Sequence, residues 1–377
     1  MKCARAGLVL LSLALVPPAS AGEDRPAADI AYRADQPQFR LPDVTDSAQL
    51  PKRLEDYIPP PPPPAPPKPV DAEKQPETKT PTPVVYAWDR VRAGYTLPDL
   101  DGALVARWQD WYVQRPQLLR AMFERSRPYI YHVVEEIDKR GLPTELAFLP
   151  MVESGYDPNA LSPARASGLW QFIPSTGKAY RLEQGLLRDA RRDIVASTAA
   201  GLDYLQALHQ RFGDWQLALA AYNCGEGCVA RALARAKARG ASTRYAALAL
   251  PEETRNYLPK LQALKNIVAH PGAFNIRIEP VPNAPYFTVI KSERYIDVDI
   301  AARLADMKLD DFLALNPSFN LNLISKGPRR HILLPLDKAE VFLTNLDNYR
   351  EPPARMRKGL RKNTSKARSA GSAAGID

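Results

Sequence analysis

One carboxylate in this chain stands out by its company. Glu153 closes the run "LAFLPMV", and Leu146, Phe148, Leu149, Met151 and Val152 surround it with apolar side chains. A carboxyl in such surroundings is harder to ionise, so its pKa rises. It can then hold a proton near neutral pH and release it to a leaving group. The plain alternative is that Glu153 ends a helix at the surface, as most glutamates are exposed. Asp157 is a second carboxylate close by, but the "DP" pair opens a turn and gives it a structural reading. The four histidines, His132, His209, His270 and His331, fall in separate segments. None has a cysteine or carboxylate at metal-ligand spacing, which predicts no metal site and no cofactor. Phosphate loops and G-x-S-x-G elbows are absent from the sequence.

The elements around Glu153 read as helices from about Val85 to His270. "DGALVARWQDWYVQ" puts Leu104, Trp108, Trp111 and Tyr112 on one face, and "RPYIYHVVEEIDKRGLP" does the same with Ile130, Val133, Val134 and Ile137. Pro150 lies inside the segment that carries Glu153, which predicts a kink and a freed Leu146 carbonyl. A long helix follows "RRD", capped by Asp189 or Asp193, and another starts at Asp214. "PEETRNYLPKLQALKNIV" opens with a proline and two glutamates, a favoured first turn. After Pro271 the texture changes: "YFTVI" and "HILLP" read as strands, with two short helices between them. The fold class expected is mainly α, with a small α+β domain appended.

The ends carry different signals. Lys2 and Arg5, the apolar run Ala6–Val16 and then Ala19-Ser20-Ala21 have the order of a secretory signal (1–21), cleaved after Ala21, which predicts export to the periplasm. Cys3 precedes that run and no cysteine follows it closely, so no lipid attachment point is expected. Residues 22–84 culminate in "YIPPPPPPAPPKPV", a polyproline spacer that cannot pack a core. The net charge is +9, and the tail 351–377 holds seven Lys/Arg. On an exported chain such a tail suits an anionic wall polymer or lipid surface, or merely keeps the chain soluble, and nucleic acid is not expected. A monomer is assumed.

The segment "ESGYDPNALSPARASGLWQFIPSTG" resembles the signature of family 1 lytic transglycosylases, enzymes that cut bacterial peptidoglycan. "DARRDIVAS" (189–197), "AAYNCGEG" (220–227) and "ETRNYLP" (253–259) follow in the family's order, closest to the membrane-bound murein transglycosylase D type. The resemblance covers residues 85–275 and implies the all-helical, lysozyme-like fold of the transglycosylase SLT type. It makes Glu153 the single catalytic acid and base. It gives Ser162, Gln171, Tyr222, Asn223 and Tyr257 contacts to the glycan or to Glu153, and lets the backbone at Gly168 approach the sugar. The substrate implied is the glycan strand of peptidoglycan, with 1,6-anhydromuramic acid as product. A hydrolysing muramidase on the same fold, or a non-catalytic glycan-binding scaffold, are the alternatives. Arg181 stands where the family has glycine.

Residues 276–350 resemble a degenerate LysM domain, the small βααβ sugar-binding fold, or else form an appendage without sugar affinity. Every transglycosylase motif lies upstream, which predicts that residues 275–377 are dispensable for cutting short glycans. Cys224 and Cys228 lie four apart in a chain expected in an oxidising compartment. They form either an intramolecular disulfide across one helical face or two packed thiols.

Overall fold

A computed structural model describes residues 85–291, 294–325 and 330–350. The signal segment (1–21), the proline-rich linker (22–84) and the basic tail (351–377) lie outside the described residues. Helices α1 (Ala87–Ala93), α2 (Ala103–Val113), α3 (Pro116–Ser126) and α4 (Ile130–Lys139) open the described chain. In α2 the buried side chains are Val105, Trp108, Trp111 and Tyr112, while Leu104 faces outward. The expected stripe is therefore shifted by one residue at its first turn.

The segment that carries Glu153 is two elements in series. A 3-10 helix, Thr144–Phe148, runs directly into α5, Leu149–Ser154. Pro150 sits in the first turn of α5, where its missing N–H has no helical partner to lose. No kink inside one helix results, and the Leu146 carbonyl accepts from the N–H of Leu149. Glu145, fully buried in the 3-10 helix, takes the N–H groups of Thr96 and Leu97 and pairs with Lys265 at 3.1 Å. Burial alone would lower the Lys265 ammonium, but its bonds to Asp99 and Glu145 more than offset that and hold it above its ordinary value.

Helix α6 (Pro174–Ala179) is short. Asp193 caps the long helix α7 (Ile194–Phe212), accepting from the Ala196 N–H at 2.7 Å. Asp214 caps α8 (Trp215–Cys224) in the same way, through Leu217. Helices α9 (Glu226–Ala238) and α10 (Glu252–Ala269) follow, and α10 packs against α2, α8 and α5. Inside α10, Pro259 cannot donate to the Arg255 carbonyl. The Tyr245 hydroxyl donates into that gap, 2.8 Å from the Thr254 carbonyl and 3.1 Å from that of Arg255. One large apolar core joins these elements, α6 excepted.

The C-terminal part is a two-stranded antiparallel sheet, β1 (Phe287–Lys291) and β2 (His331–Pro335), with Val289 opposite Leu333. Helices α11 (Val298–Leu304) and α12 (Leu309–Leu315) lie between the strands, giving the expected βααβ order. A further helix, α13 (Leu336–Asn348), follows β2 and was not foreseen. The two faces of the sheet serve different cores. Phe287 and Leu333 pack into the main helical core, while Ile290, Ile332 and Leu334 belong to a second core with Phe312 and Phe342. Alternation along a strand sends successive side chains to opposite faces, so this short sheet is a wall shared by both cores. Removal of residues 275–377, expected to be dispensable for cutting short glycans, would strip one wall from the helical core.

Candidate active site

Glu153 is fixed from both sides by the end of its own helix. Gly155, in the left-handed region at φ 59°, ends α5, and its N–H returns to the Met151 carbonyl. Ser154 Oγ reaches the carbonyls of Pro150 (3.1 Å) and Leu169 (3.0 Å), tying the helix end to the following loop. Arg125 of α3 donates to the Gly155 carbonyl at 2.7 Å. The Glu153 side chain is 9% exposed, and the Tyr257 hydroxyl of α10 donates to its Oε1 in a short contact. Burial pushes the Glu153 carboxyl up from its ordinary 4.5 to about 7. The bond from Tyr257 and the charge of Lys260 act against that rise, and the charge of Glu253 adds to it. The carboxyl is thus poised to carry a proton near neutral pH.

Tyr257 is itself held well above its ordinary value, first by burial and then by the Glu153 charge. Its O–H therefore stays a donor. Tyr222, at the end of α8, donates to the Trp170 carbonyl at 2.8 Å, and the Glu153 charge adds to the effect of burial on its phenol. Asn223 Oδ1 accepts from Thr254 Oγ1 at 2.8 Å, which joins the end of α8 to α10. These contacts gather Glu153, Tyr257, Tyr222 and Asn223 where α5, α8 and α10 meet.

Ser162 and Gln171 sit on the loop between α5 and α6, and their bonds stay within that loop. Ser162 Oγ accepts from the Ala166 N–H at 3.0 Å, so the serine does turn chemistry. Gln171 occupies φ 46°, and its Nε2 donates to the carbonyls of Gly168 (2.9 Å) and Ala160 (3.2 Å). Gly168 approaches protein backbone: a Cβ there would lie 2.1 Å from the Arg191 carbonyl oxygen. Tyr156, Trp170 and Phe172 are buried in the core. Trp170 packs against Gly201 of α7, where an added Cβ would come within 2.7 Å of the ring. Asp157 accepts from the Asn159 N–H at 2.8 Å in a turn. Arg181 stands at φ 58°, a backbone conformation that glycine adopts without steric cost.

Two residues at the site were not foreseen. Glu253 and Lys260 lie four residues before and three after Tyr257, and both act electrostatically on Glu153. Helical spacing from Tyr257 along α10 was the available signal. Burial holds the Lys260 ammonium below its ordinary value, and it lies 4.7 Å from the centre of the Trp108 ring. Cys224 and Cys228 are bonded, with Cα atoms 5.8 Å apart, but they do not share one helix. Gly225, at φ 86°, breaks the chain between α8 and α9, so the pair staples two helices together. No group of metal-ligating side chains occurs among the described residues, and no helix among them is long and apolar enough to cross a membrane.

Residues 134–244 match the Transglycosylase SLT domain family, and residues 286–351 match the LysM-like domain of lytic transglycosylase MltD. Over 236 residues, 62% of this chain, the sequence is 36% identical to the membrane-bound lytic murein transglycosylase D of Escherichia coli K12. Along these stretches the chain is similar to lytic murein transglycosylases. The same identity holds for the protein of that name from Escherichia coli O6:H1. An Alteromonas protein named for tributyltin chloride resistance is 45% identical over 114 residues, 30% of this chain and 55% of its own length. The chain spans about half (52%) of the length of the two Escherichia coli relatives it matches. The SLT match includes Glu153, Ser162, Gln171, Tyr222 and Asn223, while Tyr257 lies beyond its end.

Proposed function

We propose that this protein is a peptidoglycan lytic transglycosylase that cuts the β-1,4 bond between N-acetylmuramic acid and N-acetylglucosamine. The observation that carries the reading is the buried Glu153 carboxyl, raised to about 7 and gripped by the Tyr257 hydroxyl. Glycosidases that hydrolyse usually need two carboxylates flanking the bond. Here one group serves twice. Protonated Glu153 gives its proton to the glycosidic oxygen as the bond from C1 of the muramoyl residue breaks. The resulting carboxylate takes the proton of the C6 hydroxyl of the same sugar, whose oxygen closes onto C1. The proton lost in the first step is regained in the second, no water is consumed, and the product ends in 1,6-anhydromuramic acid. Tyr257 steadies the carboxylate between the two transfers. Ser162, Gln171, Tyr222 and Asn223 are the residues we assign to the glycan-binding side of the cleft.

On this reading residues 85–275 form the catalytic part, the partner is the peptidoglycan glycan strand and the compartment is the periplasm. Mass analysis of peptidoglycan after digestion tests the reading. Anhydro ends are expected. Reducing ends would make the protein a hydrolysing muramidase, and an uncut glycan would make it a binding scaffold.

A further inference from the structure

Between α6 and α7 the chain forms a hairpin, residues 183–193, in which the Ala190 N–H donates to the Glu183 carbonyl at 2.7 Å. The C-terminal module grips this hairpin along its length. The Asp189 N–H donates to the Ser318 carbonyl at 2.8 Å, and the Asn320 N–H to the Leu187 carbonyl at 2.9 Å. Asn320 Nδ2 reaches the Gly185 carbonyl at 2.7 Å, and Arg330 holds Glu183 at 2.7 Å. At the base, His331 meets Asp193 at 3.0 Å beside the buried pair of Asp193 with Arg188.

The inner side of the same hairpin holds the loop that carries Ser162 and Gln171. Arg191 Nη1 donates to the carbonyls of Arg165 (2.5 Å) and Phe172 (3.0 Å), one on each limb of that loop. Its Nε and Nη2 are oriented by Asp189 at 3.0 and 2.7 Å. A planar guanidinium suits this task, because it makes these four bonds in a fixed fork, whereas an ammonium has only three donors and no fork to meet a carboxylate in two places. The Arg191 backbone also touches Gly168 at the loop's turn.

We propose that Arg191 is a positioning residue for glycan binding, and that the C-terminal module acts through it by clamping the hairpin from outside. The module then shapes the cleft of the catalytic part, whether or not it binds sugar itself. This rests on the reading that the Ser162–Gln171 loop contacts glycan. Glu153 and Tyr257 stand on α5 and α10, and the loop meets the end of α5 through the Ser154 Oγ bond to the Leu169 carbonyl, so loosening the clamp should weaken binding more than it slows the proton transfers.

The test compares wild type with Arg191→Lys and with the module-side pair Asn320→Ala/Arg330→Ala, on soluble glycan strands. Release of products gives kcat and KM, and strand binding is measured again with Glu153→Gln added to each protein. We expect KM and the dissociation constant to rise about tenfold in Arg191→Lys and about threefold in the pair, with kcat within about twofold of wild type. Melting temperatures should stay within a few degrees, and Arg191→Ala should be worse in KM than Arg191→Lys. Wild-type KM and binding in the folded module-side pair would overturn the proposal, as would a fall in kcat at unchanged KM. If Arg191→Lys does not fold, the module-side pair alone decides. A wild-type protein that cuts nothing would sink the enzymatic reading and leave the binding measurements to judge the clamp.

Discussion

Glu153→Gln should make the folded protein more stable, and only at high enough pH. Burial holds the Glu153 carboxyl at about 7, against an ordinary 4.5 in the unfolded chain. A folded pKa above the unfolded one means that folding favours the protonated acid. Below pH 4.5 the group is protonated in both states and contributes no pH dependence. As pH climbs from 4.5 through about 7, the unfolded chain ionises while the folded one resists, so stability is lost. The full loss is the interval between those values at 1.36 kcal/mol per pH unit, about 3 kcal/mol. Glutamine keeps the size and an oxygen for the Tyr257 hydroxyl, and it has no charge to desolvate. Denaturant unfolding of both proteins at pH 4.5 and at pH 8.5 measures the difference. The variant should gain about 3 kcal/mol relative to wild type between the two pH values, while cleavage is abolished throughout. An equal offset at both pH values would refute the reasoning, because it would mean that Glu153 ionises normally.

Three further outcomes follow from the same geometry. Tyr257→Phe removes a donor that favours ionised Glu153, so the acid form should persist to higher pH. The alkaline limb of kcat/KM should then move up by about one pH unit, about half of what a hydrogen bond to a charged group is worth. An unmoved limb would remove Tyr257 from the proton chemistry. Breaking the Cys224–Cys228 link by reduction should lower stability by about 2 kcal/mol and raise KM, because the staple follows Tyr222 and Asn223 directly. Alkylation of the unreduced, denatured protein that adds mass for two thiols would contradict the link. Deletion of residues 276–377 should lower the melting temperature and raise KM even on short glycans, since it uncovers the core that Phe287 and Leu333 close. Full activity and unchanged melting of the shortened chain would argue against the shared wall.

What the sequence disclosed depended on whether the signal was local. Glu153 stood out because one acidic residue ended an apolar run; Asp214 was legible as a cap, and Asp193 as one of two candidates beside Asp189, because N-cap chemistry spans three residues. The strands announced themselves as short β-rich runs, the first read at 286–290 and found one residue later at 287–291, the second at 331–335. Helix α13 did not, since Leu336, Val341 and Leu343 stay exposed and blur the stripe formed by Phe342 and Leu346. The cysteines read as neighbours on one helix, because spacing alone does not reveal that Gly225 turns the chain between them. The clamp was illegible for a deeper reason. Ser318 and Asn320 are ordinary loop residues, and only the fold brings them to partners some 130 positions earlier.

The sheet whose two faces serve two cores bears on how such chains can be recombined. A borrowed C-terminal segment would have to match this helical part at alternate positions of each strand, Phe287 and Leu333, while keeping its own Ile332 and Leu334 for itself. A splice made at a convenient loop satisfies one set and ignores the other. Chimaeras with related proteins should therefore express well only when the segment and the helical surface it covers come from the same parent. In hydrogen exchange, the amides of the ladder from Phe287 to Lys291 should report the opening of both cores at once.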